Sequence, residues 1–293
     1  MPGYHLPYFT ADAMGIFRDH GLEVEIVHPE PGPENIEAVA AGRYDFCLTS
    51  VTHFLRATTG DPGIGARFVF MVARHTHMGV FYAQDRPASH GRLIQTFSDL
   101  EGASFIGNSD SPFAREYLQL LKTIGVTAAP LVEMPYGEVA EGLAMGKGDV
   151  TADYVDLGPD YQARGMANGD EITALPFHEA GIDTYGSGLV AGTRLIESRP
   201  DLVRAVIAVV QEALEATRHD PSRGVGALLE AYPEAGFDRT LASWKASEPL
   251  IFLDDGRAAG EIDPDKWRRT AAHHMDVHAT TFVEPESVYV ACG

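Results

Sequence analysis

Short apolar segments alternate with amphipathic segments along the first 75 residues. The stretch 11–20 (ADAMGIFRDH) predicts a short helix that ends at Gly21, a common C-terminal cap residue. The stretch 22–28 (LEVEIVH) alternates apolar and acidic residues, as a half-buried strand does. After a turn at Pro31, the pattern predicts a helix, a strand, a helix and a longer strand at 35–41, 45–48, 51–58 and 66–74. Helices that alternate with short strands favour parallel pairing and an α/β architecture.

A second run of the same kind begins at Ser98, after a strand at 78–84 and a polar connection at 86–97. It predicts strands at 104–107, 131–134, 149–154 and 172–177 and helices at 112–124 and 136–145. The small-residue run GSGLVAG (186–192) leads out of it. The remainder of the chain predicts helices at 200–218, 222–231, 240–247 and 264–282, with Ser198 as a cap for the first. Asp156, just after the strand at 149–154, is interpreted as a helix cap.

One sequence pattern occurs in both runs. The stretches 37–46 (EAVAAGRYDF) and 141–150 (EGLAMGKGDV) each combine a helix that ends in glycine, a basic residue, a turn aspartate and an immediate strand. Two interpretations stay open: a turn common to α/β proteins, or two similar α/β lobes that present their strand ends to a shared cleft. Open α/β sheets bind ligands at such ends.

The composition and net charge of the chain exclude several classes of function. The 293 residues include 22 basic and 42 acidic side chains, a net charge of −20, so the chain lacks the basic face that a nucleic-acid binder needs. No apolar stretch approaches the roughly 18 residues of a membrane-spanning helix. The two cysteines, Cys47 and Cys292, exclude a disulfide framework or a four-cysteine zinc site, and we expect two free thiols.

Four blocks of the sequence carry a family resemblance: GIFRDHGLEVEIV, AAGRYDFCLTS, FSDLEGASFIG and GLVAGTRLIESRPDLVRAV. In their order they resemble the solute-binding proteins of ABC transporters, in the nitrate/sulfonate/taurine-type group that also contains thiamine-pyrimidine-synthase-like proteins. The resemblance covers the chain from about Tyr4 to Leu229. It implies an α/β, two-lobed, periplasmic-binding-protein-like (type II) fold with a ligand cleft between the lobes.

The resemblance also implies how the chain divides. Lobe one is expected at 1–90 plus 186–293, and lobe two at 91–185, inserted through hinge crossings near 88–93 and 183–186. The glycines beside Thr184 and Tyr185 would permit closure about a ligand. The family opens with a strand ahead of the segment at Tyr4, whereas here three residues precede it. The resemblance implies an extracytoplasmic protein, and the absence of a signal-like N-terminus implies a cytoplasmic one if the chain as given is complete.

The resemblance places the ligand against loops that follow strands and against helix N-termini. The segments of this sequence in those places supply the candidate ligand-binding residues Tyr4, His5, Tyr8, Thr49, Ser50, His53, His75, Ser109, Asp110, Ser111, Tyr136, Asp153, Tyr154 and Tyr185.

Residue chemistry suggests how these segments would bind. The N-terminal aromatics can stack on a planar ligand. Ser50 can cap a helix and leave its amides free, although capping alone explains it equally well. The helix that starts at Pro112 has an N-terminus suited to a carboxylate, phosphate or sulfonate. Asp110 competes for the same amides and suits a ligand with donors, such as an aminopyrimidine, so both classes remain open.

Histidines raise the question of metal binding. His75-Thr76-His77 is an H-x-H pair, and His274 and His278 lie four residues apart on a predicted helix, next to His273. Without a nearby cysteine or an HExxH motif, we interpret the helix histidines as solvated and predict no metal site and no cofactor.

The sequence therefore predicts a small-molecule binding protein of the ABC-transporter type, with an ABC permease as its implied partner. Candidate ligands are an aminopyrimidine, a sulfonate or an aromatic acid. The alternative is a cytoplasmic enzyme on the same scaffold, of the pyrimidine-synthase, desulfinase or decarboxylase type. Its reactive groups would be His75, His5 and His53, but the cysteine-rich motif of the pyrimidine synthases is absent.

Overall fold

The computed structural model of the chain describes residues 3–28, 32–280 and 283. The chain forms two compact units: unit 1 comprises Met1–His75 and Thr184–Gly293, and unit 2 comprises Thr76–Asp183. Pro31, Phe282 and Cys292, which enter the sequence predictions, lie outside the described residues.

Unit 1 is built around a three-stranded sheet with a mainly helical surround. Its strands are β1 (Phe46–Ser50), β2 (Ala66–Ala73) and β8 (Ser187–Gly192). Its helices are α1 (Leu6–Met14), α2 (Ile16–Asp19), α3 (Glu34–Ala40), α4 (Val51–Gly60), α8 (Thr193–Ser198), α9 (Pro200–His219), α10 (Pro221–Ala231), α11 (Phe237–Ile251) and α12 (Pro264–His278). The order is β1-β8-β2, with β8 antiparallel to both neighbours. The ends of β1 and β2 therefore meet the start of β8 at one sheet edge.

Unit 2 contains a five-stranded mixed sheet. Its strands are β3 (Met78–Ala83), β4 (Phe105–Gly107), β5 (Leu131–Glu133), β6 (Val150–Tyr154) and β7 (Ile172–Pro176), and its helices are α5 (Pro112–Ile124), α6 (Tyr136–Ala144) and α7 (Gly158–Asn168). The order is β5-β4-β6-β3-β7. Strand β4 is parallel to β5 and β6, whereas β3 is antiparallel to β6 and β7. The ends of β4, β5 and β6 thus share an edge with the start of β3.

The boundary between the units differs from the predicted hinge at 88–93. Strand β3 pairs along its length with β6 and β7, so residues 76–90 belong to unit 2 rather than to lobe one. The break falls between His75 and Thr76. The second break, between Asp183 and Thr184, lies within the predicted interval 183–186.

The N-terminal region also departs from the sequence prediction. The first helix begins at Leu6, five residues earlier than expected, and it breaks at Gly15, whose φ of 75° ends α1. The predicted strand at 22–28 has no regular secondary structure and pairs with no strand among the described residues. Val24 and Val27 consequently remain 41% and 47% exposed. Alternation alone does not make a strand when no neighbour supplies hydrogen bonds.

The repeated sequence pattern produces the same helix ending in both units. Gly42 and Gly146 adopt φ values of 73° and 72°. In each case the next residue donates to the carbonyl five residues back, Arg43 to Ala38 at 2.9 Å and Lys147 to Gly142 at 2.9 Å. This is the Schellman arrangement, which satisfies terminal carbonyls of a helix and turns the chain into the following strand.

The turn aspartate of unit 2 organises the loops around it. Asp149 accepts hydrogen bonds from the amide and hydroxyl of Ser89 and from the amide and hydroxyl of Ser104, at 2.6–3.0 Å. Burial opposes ionisation, but these four donors hold the pKa of Asp149 below its ordinary value. Asp149 is therefore a structural residue.

Helix starts show two further differences from expectation. Ser198 does not cap α9, because its hydroxyl donates to Arg194 O inside α8. Asp156 does not cap α7 either: it lies in a short 3₁₀ turn ahead of that helix and is 2% exposed. None of the described helices is long and apolar enough to cross a membrane.

Candidate functional site

Three loops of unit 2 emerge at the shared edge of β4, β5 and β6. They follow Gly107, Glu133 and Tyr154, the last residues of these strands. Parallel strands present their carboxyl ends, and hence the following loops, to the same side of a sheet. The predicted residues lie on these strand ends, in these loops or, for Tyr136, at the first position of the helix that follows: Ser109, Asp110, Ser111, Tyr136, Asp153 and Tyr154.

Asp153 lies at the centre of this edge and is 3% exposed. Its Oδ2 accepts a hydrogen bond from Tyr161 Oη at 2.9 Å, and its Oδ1 accepts from Tyr136 Oη at 3.3 Å and from the Tyr154 amide at 2.8 Å. Burial raises the pKa of Asp153 to about 6, although these three donors oppose the shift. A carboxylate with both oxygens held by tyrosines is an acceptor for a donor-bearing ligand.

Aromatic rings surround this carboxylate on one side. Phe113, in the first turn of α5, stacks on Tyr136 with ring centroids 5.2 Å apart and meets Tyr154 edge-on at 5.2 Å. His77, just before β3, meets Tyr154 at 5.9 Å. Tyr136 remains 51% exposed, so part of this aromatic wall faces solvent. Burial lowers the pKa of His77 to about 4, so its imidazole is neutral at pH 7.

The loop before α5 is engaged in its own hydrogen bonds. Ser111 Oγ accepts from the Ala114 amide at 3.1 Å and so caps the helix, which leaves Ser111 a positioning residue. The Ser109 amide donates to Glu133 Oε2 at 3.3 Å, and the Asp110 amide donates to Asn108 Oδ1 at 2.8 Å. Backbone N–H groups that already donate to side-chain oxygens are less available to a bound anion.

The charge at this edge is negative. Asp110, Glu133, Asp153 and Asp156 contribute four carboxyl groups to its strand ends and loops. The guanidinium of Arg115 is directed to the Asp110 carbonyl, at 3.1 Å. A ligand with N–H donors or positive charge fits this set better than a sulfonate does.

Unit 1 has a second polar edge, where β1 and β2 end and β8 begins. Ser50 lies opposite Ser187 in the sheet, and its Oγ caps α4 by accepting from the His53 amide at 3.2 Å. Thr49 is 7% exposed. Burial and the nearby Arg56 lower the pKa of His53, which favours the neutral imidazole.

Three residues of this region were missed by sequence reasoning: Arg74, Lys266 and Thr270. Arg74, 4% exposed, forms an ion pair with Asp255. Lys266, 7% exposed, lies 3.5 Å from His75 Nδ1 and 5.2 Å from the centroid of the Tyr185 ring. Thr270 Oγ1 accepts from the Tyr185 amide at 3.0 Å. His75 and Tyr185 therefore share a cationic environment supplied from α12, 80 to 190 residues further along the chain.

The N-terminal candidates lie in helix rather than in a loop. Tyr4 and His5 form a 3₁₀ turn that runs into α1, which contains Tyr8. His5 stacks on His28 with centroids 5.9 Å apart, which occupies one face of its ring. The Tyr8 hydroxyl is buried without a hydrogen-bond partner, and burial raises its pKa above the ordinary value. Tyr4 and Tyr8 pack against the same hydrophobic cluster of unit 1 as Phe46 and Leu48 of β1.

Comparison with known proteins places this fold in a family. The NMT1/THI5-like family model matches residues 3–223, which is more than half of the chain. The chain belongs to the NMT1/THI5-like family. The predicted kinship with this group is thus confirmed. Two curated Saccharomyces cerevisiae proteins, the 4-amino-5-hydroxymethyl-2-methylpyrimidine phosphate synthases THI11 and THI13, are each 26% identical over 99 residues. That match covers 34% of this chain and 27% of each relative.

Solved structures support the fold of this NMT1/THI5-like chain. The periplasmic aliphatic sulphonate binding protein SsuA from Escherichia coli aligns with a TM-score of 0.73 at 16% identity, over 98% of this chain and 89% of that one. The alkanesulfonate-binding protein SsuA from Xanthomonas axonopodis pv. citri, solved with MOPS, aligns at 0.65 and 13% identity, over 98% and 96%. The predicted periplasmic-binding-protein-like α/β fold is confirmed. At these identities the likeness extends to the fold only.

Two side-chain predictions outside these edges have different outcomes. Cys47, on β1, is a free cysteine as expected, and burial raises its pKa to about 11, so its thiol is protonated at pH 7. The interpretation of the α12 histidines as solvated is wrong for His274, which is 4% exposed because it lies on the buried face of the helix.

Proposed function

We propose that this NMT1/THI5-like chain is a small-molecule binding protein whose unit 2 recognises a planar ligand with N–H donors, of the aminopyrimidine class. Asp153 carries the proposal, because a buried carboxylate between two tyrosine hydroxyls accepts further hydrogen bonds from such a ligand. The part-exposed ring of Tyr136, backed by Phe113, supplies a surface for stacking. An ABC permease is the partner that this role requires, with the protein outside the cytoplasm.

The charge of the same edge argues against a sulfonate, despite the sulfonate binders among the structural relatives. A sulfonate would approach Asp110, Glu133 and Asp153, while the Ser109 and Asp110 amides already donate to side-chain oxygens. Like charges this close disfavour binding unless a cation intervenes. The yeast relatives are named as synthases of an aminopyrimidine phosphate, a compound of the ligand class that the geometry favours.

Titration calorimetry with Asp153→Asn tests the ligand class. We expect 4-amino-5-hydroxymethyl-2-methylpyrimidine to bind the wild-type protein at pH 7.5. We expect the variant to bind it about tenfold to a hundredfold more weakly, because a hydrogen bond to a charged acceptor contributes about 1.5–3 kcal/mol. MOPS serves as the competing alkanesulfonate and should bind neither protein.

Asp110→Asn is the matched control for that experiment. It removes a carboxylate from the same edge but not from the buried centre, so the aminopyrimidine should bind this variant within about threefold of the wild type. Tighter binding of MOPS than of the aminopyrimidine, or equal aminopyrimidine binding by the wild type and Asp153→Asn, would contradict the proposed ligand class.

A second candidate function, an enzyme on the same scaffold, is favoured by the contact of His75 with Lys266. An imidazole 3.5 Å from an ammonium group, next to the Tyr185 ring, is an arrangement suited to proton transfer. If the chain is an enzyme, His75→Ala should abolish turnover of the aminopyrimidine, measured by mass spectrometry of the small-molecule fraction, while Asp153-dependent binding persists. Absence of turnover by the wild-type protein with bound aminopyrimidine would leave binding as the function.

A further inference from the structure

Helix α12, in unit 1, carries a polar side chain at every fourth position along one of its faces. The residues are Lys266, Thr270, His274 and His278, and the first three are buried. A buried helix face is ordinarily apolar, because a polar group taken out of water costs free energy unless it finds a polar partner. The first two residues of this row meet His75 and Tyr185. The last two are both imidazoles, one helical turn apart.

The two imidazoles are positioned as a pair. The rings of His274 and His278 have centroids 5.3 Å apart and planes within 25° of parallel. Each offers a ring nitrogen, and the two nitrogens lie within 4.8 Å of one another. Two nitrogens on one tetrahedral zinc ion, each about 2.0–2.1 Å from it, are separated by roughly 3.4 Å. Zinc binding would therefore require a side-chain rotation of His278, which lies at the C-terminal end of α12.

We propose that His274 and His278 bind a divalent transition-metal ion of borderline softness, Zn²⁺ foremost. Neutral imidazole is a preferred ligand of zinc, copper and nickel, whereas magnesium and calcium prefer oxygen. The i, i+4 spacing on one helix face is the one that zinc-binding H-x-x-x-H helices use. Two ligands from α12 leave two positions of a tetrahedral ion to other ligands.

The neighbouring residues indicate binding rather than hydrolysis. In a metalloprotease helix the residue after the first histidine is a glutamate that acts as general base. Here that position holds Met275, which is 43% exposed and has no proton to exchange. The site therefore lacks the general base of such a protease, and it lies at the end of the helix whose start contacts Tyr185.

Zinc binding by the tag-free, chelator-treated full chain tests the proposal. We expect competition against a chromophoric chelator to give one zinc per chain, and Co²⁺ to give the visible absorption of a nitrogen-ligated ion. His278→Ala should weaken zinc binding about tenfold or more, since even outer partners of a metal ligand contribute 10–100-fold. Zinc should raise the melting temperature of the wild type and not that of this variant.

Matched variants separate this site from other zinc ligands. His273→Ala removes an adjacent imidazole outside the polar row and should bind zinc as the wild type does. Cys47→Ser should also retain binding. Because His274 is buried, it is replaced by glutamine rather than by alanine. Circular dichroism checks that the His274→Gln variant folds. Zinc binding that is undetectable in the wild type, unchanged in His278→Ala, or lost equally in His273→Ala would overturn the proposal.

Discussion

Replacement of Gly260 by alanine is expected to destabilise unit 1 by about 2–4 kcal/mol. Gly260 adopts a φ of 86°, and its carbonyl accepts from the Met71 amide at 3.0 Å, which joins this loop to β2. A Cβ atom there would lie 2.0 Å from Cε2 of Phe70, whose ring is 1% exposed in the core. The left-handed backbone costs an alanine about 1 kcal/mol, and over-packing a core adds about 1–3 kcal/mol. Urea unfolding measures the loss.

Gly256→Ala separates the two contributions. Gly256 lies in the same loop region with a φ of 74°, but nothing lies within 4 Å of the position of its missing Cβ. This variant should lose only the backbone contribution, about 1 kcal/mol. Equal shifts of the urea midpoint in the two variants would mean that the Phe70 ring yields to the methyl group, and the steric argument would be wrong.

Local pattern was sufficient to predict most elements of the fold. The helix α5 begins and ends where the sequence predicted, because Ser111, Pro112 and Gly125 are start and stop signals that act within the segment itself. The prediction of a strand at 22–28 was wrong, because a strand also needs a neighbouring strand to pair with. No pattern within 22–28 indicates whether that partner exists. The boundary between the units differs from the predicted one for the same reason, because the pairing of β3 with β6 joins residues about seventy positions apart.

The candidate site shows the same division between local and distant information. Asp153, Tyr154 and Tyr136 were predicted because each lies at or after a strand end, a position readable from the sequence alone. Phe113 and Lys266 were missed. Phe113 resembles any apolar residue of a first helical turn, and Lys266 reaches His75 across 191 positions of the chain. Contacts of this kind exist only after the elements pack.

Asp153→Asn is expected to stabilise unit 2 at neutral pH by about 2–3 kcal/mol. The pKa of Asp153 is about 6 in the folded protein and about 3.9 in an unfolded chain. Between these values the folded state binds more protons, so the contribution of this carboxyl to stability is full below pH 4 and is lost as the pH rises through 6. Asparagine does not ionise. The difference between variant and wild type should therefore grow from pH 4 to pH 7 in urea unfolding.

Asp149→Asn supplies a control of opposite sign, because hydrogen bonds hold the pKa of Asp149 below its ordinary value. That variant should be less stable than the wild type at pH 7, and the deficit should shrink as the pH falls below 4. A difference for Asp153→Asn that stays constant from pH 4 to 7 would refute the assigned pKa. If Asp153→Asn is more stable than the wild type and no longer binds the aminopyrimidine, Asp153 is a binding residue. A structural carboxylate such as Asp149 stabilises the fold, whereas a binding carboxylate is retained although it destabilises the fold.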